Sequence, residues 1–233
     1  MILYFGREGV MPVIAIDGPS GSGKSSTSRA LAQRFGWGYL DTGALYRAIT
    51  VLALRHQASD IHALIQRLEV SPLRWSGDPT EPRIWLAEEE VTHEIRSEAV
   101  TNLVSEIAAN DVVRSTLLSI QRSIINNAVL GIVVEGRDIG TTVWPDAELK
   151  IFLTADVSAR AQRRRAELVG EFTAKEVQQS LANRDRIDST RAVSPLRQSE
   201  DQIQIDATTM SLEEVVNALS ELIRERKLDQ SGS

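Results

Sequence analysis

Apolar positions along the chain form two kinds of pattern, short continuous runs and longer stretches with a helical repeat. Short continuous runs are typical of strands buried on both faces of a sheet, whereas an apolar residue at every third or fourth position indicates an amphipathic helix. The runs predict strands at 13–17, 37–41, 129–136, 148–155 and 201–208. The repeat predicts helices at 24–36, 42–57, 60–69, 97–109, 111–127, 156–168, 173–187 and 211–226. Because strands alternate with helices, we expect a parallel α/β sheet covered on both faces.

The stretch 70–92 departs from this pattern. It contains three prolines and a Gly-Asp turn signal between tryptophan-containing runs. Such punctuation is typical of short strands joined by turns. We therefore predict a small antiparallel β insert at this point in the chain.

The length of 233 residues fits one substantial domain, which we place at residues 12–233. We expect residues 1–11 to form a flexible leader. Its apolar start is too short for the hydrophobic core of a signal peptide. Met11 directly precedes the first strand, so the sequence leaves open whether Met1 or Met11 is the native start.

Composition narrows the possible partners and the compartment. The net charge is −6, which disfavours binding to a nucleic acid polymer or to an anionic membrane. The chain has no cysteine, which suits a reducing compartment, and we expect a cytoplasmic protein. Of its 26 basic residues 22 are arginine, a side chain well suited to phosphate.

A glycine-rich loop joins the first strand to the first helix. Gly18 to Ser25 match the pattern G-x-x-x-x-G-K-[ST], whose backbone N–H groups converge on phosphate oxygens at a helix N-terminus. We predict that the loop binds the triphosphate of ATP or GTP, with Lys24 on the outer phosphates and the Ser25 hydroxyl on Mg²⁺. The predicted nucleotide-binding residues are Gly18, Pro19, Ser20, Gly21, Ser22, Gly23, Lys24, Ser25 and Ser26.

A second polar set follows two other predicted strands. Glu135, Arg137 and Asp138 come at the end of the strand 129–136, and ligands of open α/β sheets bind beyond the carboxyl ends of strands. Thr42 is a candidate N-cap, and Tyr46 and Arg47 lie one helical turn further on. For that last pair, a core tyrosine and a solvated arginine are the alternative interpretation.

Two helical stretches, 158–168 and 183–196, are rich in arginine. Arginines stabilise the charge that develops in phosphoryl transfer, and a flap that carries them would also exclude water. The alternative is a salt-bridged surface pair of helices. The arginines concerned are Arg160, Arg163, Arg164, Arg165, Arg184, Arg186 and Arg191.

Five segments together resemble bacterial cytidylate kinases, in order and across residues 12–226. They are "IDGPSGSGKSS", "LDTGALYRA", "VVEGRDIGT", "PDAELKIFLTA" and "RDRIDSTRAVSPL". The resemblance implies a P-loop kinase with a five-stranded parallel sheet flanked by helices, a small antiparallel β insert and a helical lid. It further implies a monophosphate-binding region at about 42–127, which includes the insert 70–92, and a lid at about 158–190.

The resemblance also implies roles for individual residues. It places Lys24, Arg137 and Arg191 in catalysis, Ser25 at the metal, and Asp188 at the sugar hydroxyl of the acceptor. Glu135 stands where an aspartate can occur, which leaves its part in holding Mg²⁺ open. The implied CMP-binding residues are Thr42, Tyr46, Arg47, Ser105, Arg114, Arg137, Asp138, Arg184, Asp188 and Arg191.

The activity implied is transfer of the γ-phosphate of ATP to CMP or dCMP, with Mg²⁺ as cofactor and a monomeric enzyme. Two alternatives stay open at this point. One is a kinase for another nucleoside monophosphate, UMP or AMP, and the other is a P-loop NTPase switch. The switch would bind partners and hydrolyse nucleotide without an acceptor.

Overall fold

The computed structural model describes residues 11–57, 60–167 and 173–230. Its strands are β1 (Val13–Asp17), β2 (Gly38–Asp41), β3 (Leu73–Trp75), β4 (Ile84–Leu86), β5 (Glu89–Glu90), β6 (Ile132–Gly136), β7 (Leu149–Thr154) and β8 (Ile203–Asp206). Its α-helices are α1 (Lys24–Phe35), α2 (Thr42–Arg55), α3 (Ile61–Val70), α4 (Glu98–Ala109), α5 (Asp111–Asn126), α6 (Val157–Glu167), α7 (Ala174–Thr190) and α8 (Leu212–Glu225). A π-helical turn covers Ile139–Val143.

Five strands form one parallel sheet in the order β2-β6-β1-β7-β8. Successive residues of β1 are buried in two different cores, Val13 and Ala15 on one face of the sheet and Ile14 and Ile16 on the other. A parallel sheet needs this double cover because its crossover helices lie on the faces. The predicted fold class is confirmed.

Each face is covered by helices whose apolar stripes were visible in the sequence. On one face α2 buries Leu45, Ile49 and Leu52, the residues that share a side at helical spacing. On the other face α1 and α8 pack against the central strands. A capping box starts α8, with Ser211 and Glu214 each bonded to the other's backbone N–H.

The insert is antiparallel as predicted, with strand order β3-β4-β5. It is attached to the free edge of β2. The Trp75 indole donates to the Tyr39 carbonyl at 2.6 Å, and the Tyr39 N–H donates to the Gly77 carbonyl at 3.0 Å. Arg29 of α1 donates to the Pro79 carbonyl at 2.9 Å, so the insert also contacts the helix that follows the glycine-rich loop.

Two predicted boundaries differ from the structure by three residues, and the others differ by two or fewer. The strand predicted from residue 129 begins at Ile132, because Gly131 has a φ of 146° that ends the extended backbone there. The helix predicted to end at 187 continues to Thr190, where the Ser189 and Thr190 hydroxyls bond to carbonyls one turn back. The leader predicted at 1–11 and the segment 168–172 between α6 and α7 fall almost wholly outside the described residues.

The parallel register brings acidic residues to one edge of the sheet. Asp41 at the end of β2 pairs with Glu135 of β6, and Asp17 at the end of β1 pairs with Gly136. All three carboxylates are buried. Within the described part of the chain, no helix is both long and apolar enough to cross a membrane.

Gly18 follows β1 at a point where no side chain fits. Its φ is 151°, and a Cβ there would lie 2.0 Å from the Leu153 carbonyl oxygen. We expect Gly18→Ala to lower the free energy of unfolding by about 2 kcal/mol or more, through backbone strain and displacement of β7. Urea denaturation measures this effect.

Gly36→Ala is the matched control. Gly36 also has a positive φ, 67°, but a Cβ there meets nothing within 4 Å. We expect a loss of only about 1 kcal/mol, the cost of a left-handed residue with a side chain. Equal losses for the two variants would contradict the contact with Leu153.

Candidate active site

A cleft of about 930 Å³ opens at the carboxyl edge of the parallel sheet. The glycine-rich loop forms one end, and residues of α2, α4, α5, β6 and α7 form most of the rest. All ten residues predicted for the acceptor line it, together with Glu135 and six of the nine predicted for the donor nucleotide. Those six are Ser20, Gly21, Gly23, Lys24, Ser25 and Ser26.

The loop presents backbone N–H groups at the start of α1. Gly23 is the N-cap residue with a left-handed φ of 97°, and no side chain caps the helix there. The first N–H groups of a helix left without a side-chain cap make a binding site for anions. This end of the cleft is therefore suited to phosphate.

Lys24 is buried within the loop, where its ammonium donates to the Pro19 carbonyl at 2.7 Å and lies 3.4 Å from the Ser22 hydroxyl. Burial, together with the nearby positive charge of Arg137, lowers the pKa of Lys24 to about 7. An anion bound in the loop would stabilise the protonated form.

Three predicted loop residues do not line the cleft but build the loop. Gly18 packs against the Leu153 backbone, and the Pro19 carbonyl accepts from Lys24. The Ser22 carbonyl accepts from Arg163 at 3.3 Å. These positions shape the backbone around the ligand.

Arg160 of α6 was predicted as part of an arginine-rich flap, and it is buried against the loop. It donates to the Ser20 carbonyl at 3.0 Å and to Asp185 of α7 at 2.5 Å. Asp185 in turn accepts from the Ser20 N–H at 3.2 Å. The ion pair of Arg160 matches part of the alternative interpretation, but Arg160 is buried and not at the surface, and it connects the loop to both helices.

A hydroxyl and a carboxylate lie side by side at the phosphate end of the cleft. The Ser25 hydroxyl donates to Glu135 at 3.1 Å, and the Tyr39 hydroxyl donates to the other carboxylate oxygen at 2.5 Å. Burial raises the pKa of Glu135 to about 7, with repulsion from Asp41 adding to the effect. Oxygen donors of this kind are the ligands that Mg²⁺ prefers.

The described residues include no group of three or more His, Cys, Asp or Glu side chains able to hold a metal ion by themselves. Mg²⁺ in kinases is bound through one or two protein oxygens together with substrate phosphates and water. The pair of Ser25 and Glu135 fits that mode of binding.

At the start of α2, the structure contradicts the predicted N-cap and decides between the two interpretations of Arg47. The N-cap is Asp41, whose carboxylate accepts from the Ala44 N–H at 3.0 Å, and not Thr42. The Thr42 hydroxyl donates to the Glu135 carbonyl at 2.7 Å. Arg47 is buried rather than solvated, and donates to the Ile95 carbonyl at 2.9 Å.

Three ion pairs connect five of the other predicted acceptor residues. Arg114 of α5 pairs with Asp138 at 2.5 Å, and Arg137 pairs with Asp188 of α7 at 2.8 Å. Arg191 lies 3.5 Å from the second oxygen of Asp138. The structure thus joins residues that are between 24 and 53 positions apart in the chain.

The carboxylates do not satisfy all of these guanidinium groups. Among the described residues, buried N–H groups without a hydrogen-bond partner occur on Arg114 (Nε), Arg184 (Nε) and Arg191 (Nη2). Burial, together with repulsion from Arg137, lowers the pKa of Arg184 to about 10. Buried donors that lack acceptors are costly, so the cleft is built to receive an anion.

Sequence reasoning missed two helix faces that complete the cleft. On α4 the lining residues recur at helical spacing around Ser105, and on α7 they recur around Arg184. Spacing by three and four could have identified them once one member of each face was known. The missed residues are Glu98, Thr101, Asn102, Val104, Ala108, Glu176, Val177, Ser180 and Leu181.

Solved structures share this architecture at low sequence identity. TT1252 from Thermus thermophilus has a TM-score of 0.51 at 19% identity, covering 93% of this chain and 98% of its own. An uncharacterized protein from Eubacterium ventriosum has a TM-score of 0.52 at 12% identity, covering 92% of this chain and 99% of its own. At such identities the likeness concerns the fold alone.

Sequence relatives are much closer. A cytidylate kinase from Exiguobacterium sp. is 45% identical over 219 residues, which is 92% of this chain and 97% of the relative. A cytidylate kinase from Streptomyces coelicolor is 45% identical over 217 residues, 92% of this chain and 94% of the relative. The sequence model described as cytidylate kinase matches residues 14–225. With a match over nearly the whole fold and a cleft that unites the glycine-rich loop with the arginines, the chain belongs to the cytidylate kinase family.

Proposed function

We propose that this enzyme transfers the γ-phosphate of ATP to CMP or dCMP, giving ADP and CDP or dCDP. The observation that carries the proposal is the cleft in which the phosphate-binding loop and all ten predicted acceptor residues meet. Direct transfer between two nucleotides requires both to be held in one water-excluding space.

The donor triphosphate binds the loop backbone and Lys24. The uncapped N-terminus of α1 and the glycine-rich backbone offer N–H groups, and the Lys24 ammonium turns from the Pro19 carbonyl to the outer phosphates. The positive end of the helix dipole adds to this attraction.

The acceptor phosphate binds the buried guanidinium groups. Arg47, Arg137 and Arg191 line the same cleft, with Thr42 and Tyr46 beside them. The Nη2 atom of Arg191 makes no hydrogen bond and lies 3.5 Å from Asp138, which supports the assignment, because a phosphate oxygen supplies the acceptor that it lacks.

The base binds at the pair formed by Asp138 and Arg114. The Asp138 carboxylate accepts from the N4 amino group of cytosine, while Arg114 and the Ser105 hydroxyl bond its N3 and O2 acceptors. Uracil carries a carbonyl where cytosine carries the amino group, so it would be repelled by the carboxylate. The ion pair with Arg114 holds the Asp138 carboxylate in this part of the cleft.

The sugar is held by Asp188 and Arg184, on the cleft-facing side of α7. Asp188 also pairs with Arg137, so the sugar site and the phosphate site share one carboxylate. This sharing aligns the acceptor phosphate with the donor.

In the reaction, an oxygen of the acceptor phosphate attacks the γ-phosphorus in line and forms the new P–O bond. The bond between the γ-phosphorus and the β,γ-bridging oxygen breaks, and ADP leaves. The acceptor oxygen is already anionic, so the reaction needs no strong base and no covalent enzyme intermediate. Lys24 and the arginines act by positioning and by stabilising the spreading negative charge.

Ser25 would hold Mg²⁺, with Glu135 beside it. When bound, the ion neutralises negative charge on the phosphates. The Tyr39 hydroxyl keeps the Glu135 side chain turned toward Ser25. We further propose that the protein is a monomer in the cytoplasm. The cysteine-free composition is compatible with that compartment.

The first prediction concerns the acceptor. In a coupled assay with ATP and Mg²⁺, we expect rapid turnover of CMP and dCMP and slow turnover of UMP, AMP and GMP. Asp138→Asn should reduce the preference for CMP over UMP by about tenfold or more, because an amide tolerates a carbonyl. A strong AMP preference would overturn the choice of substrate, and hydrolysis of ATP that needs no acceptor would favour the switch.

The second prediction concerns Lys24. Lys24→Ala should lower kcat by about 100-fold or more, because it removes a charge that stabilises the transferring phosphoryl group. CMP affinity, measured by calorimetry, should stay nearly unchanged, because Lys24 lies in the donor loop. Lys175→Ala, at an exposed lysine on α7, is the control and should retain wild-type turnover.

The third prediction is uptake of a proton when a nucleotide binds. Because the pKa of Lys24 is about 7 in the free enzyme, the amine is mostly neutral at about pH 8.5, and bound phosphates raise that pKa. Calorimetry of Mg²⁺-free ADP in two buffers of different ionisation enthalpy should detect up to about one proton taken up per site. The Lys24→Met variant should show no such uptake, and equal heats for the wild type in both buffers would contradict the assignment.

A further inference from the structure

The π-helical turn Ile139–Val143 is capped in an unusual way. Asp138 occupies its N-cap position but makes no side-chain cap hydrogen bond. An aspartate at an N-cap ordinarily turns its own carboxylate onto the N–H groups of the following turn. The Asp138 carboxylate is directed instead to Arg114 and lies near Arg191.

Asp17, at the end of β1, supplies the cap. One carboxylate oxygen accepts from the Ile139 N–H at 2.8 Å, and the other accepts from the Gly140 N–H at 2.9 Å. The second oxygen also accepts from the Gln202 side-chain amide at 2.9 Å. Asp17 has 0% exposure, so no water competes for these bonds.

We infer that Asp17 is a positioning residue for acceptor specificity, because it caps this turn in place of Asp138 and so leaves the Asp138 carboxylate to face the base. One carboxylate cannot satisfy both the turn and the ligand. Without Asp17, two buried N–H groups would lack acceptors, and the acceptor nearest in sequence is Asp138 itself. This inference rests on the proposed function of Asp138 in recognising cytosine.

Asp17 also sets the distance between the two halves of the cleft. It directly precedes Gly18, which is pressed against the Leu153 carbonyl and cannot move toward it. The π-helical turn Ile139–Val143 is therefore bonded to Asp17, the residue that directly precedes the glycine-rich loop. A shift of that turn would displace the acceptor relative to the donor phosphates.

Asp17→Asn tests the inference with little change in volume. The new amide replaces one acceptor with an NH₂ group that faces an N–H donor, so one cap bond is lost. We expect KM for CMP to rise and the CMP-over-UMP preference to fall, each by about tenfold, the loss typical of a hydrogen bond to a charged group. KM for ATP should change by much less.

Two further variants distinguish a positioning role of Asp17 from a general loss of stability or activity. Gln202→Met removes the third bond of Asp17 but leaves both cap bonds, and should keep the CMP-over-UMP preference of the wild type. In an Asp138→Ala background, Asp17→Asn should cause no further loss of preference, because Asp17 acts through Asp138. An additive loss in the double variant would overturn the inference.

The wild type measured in parallel keeps the two proposals distinguishable. A wild type without preference for CMP over UMP overturns the proposed function and, with it, the specificity role of Asp17. A wild type that prefers CMP, with an Asp17→Asn variant of unchanged KM and preference, overturns the role of Asp17 alone.

A crystal structure of the wild-type chain decides the matter if Asp17→Asn does not fold. Asp17 bonded to the Ile139 and Gly140 N–H groups, with Asp138 turned to the cleft, supports the inference. The Asp138 carboxylate bonded to its own turn overturns it.

Discussion

The arrangement of the cleft depends on one constraint, the burial of several guanidinium groups close to one another. Arg47, Arg184 and Arg191 lose hydration there, and burial lowers the pKa of each. Asp138 and Asp188 offset part of the positive charge but leave N–H groups without partners. In the proposed function, anionic ligands supply the missing acceptors. A chain with a net charge of −6 can therefore bind two polyanions, because the local field and not the total charge decides.

Three buried carboxylates at neighbouring strand ends anchor the elements around this charge. Asp17 caps the π-helical turn Ile139–Val143, and Asp41 caps α2. Glu135 accepts from the hydroxyl of Ser25 in α1. Parallel pairing places them together, because the strands end at the same edge of the sheet. Each carboxylate has donors of its own, so all three tolerate burial.

The antiparallel insert belongs to the same framework through β2. Trp75 bonds the backbone of Tyr39, whose hydroxyl bonds Glu135 at the phosphate end of the cleft. Arg29 connects the insert to α1 by a separate route. The insert thus contacts both α1 and Tyr39, although it lies more than 30 positions from either contact in the sequence.

Much of this molecule was predictable from the sequence. Local patterns identified the alternating strands and helices, the insert, and the glycine-rich loop around Lys24, because periodicity and turn chemistry act over a few residues. Family resemblance supplied ten acceptor residues, all of which line the cleft, while their roles, the domain limits and the lid remain predictions. Only the tertiary structure decided the burial of Arg47 and the bonds of Asp17 to a turn more than 120 residues away. Hydrogen-bond partners and burial depend on which segments the sheet brings together, and no local pattern encodes that.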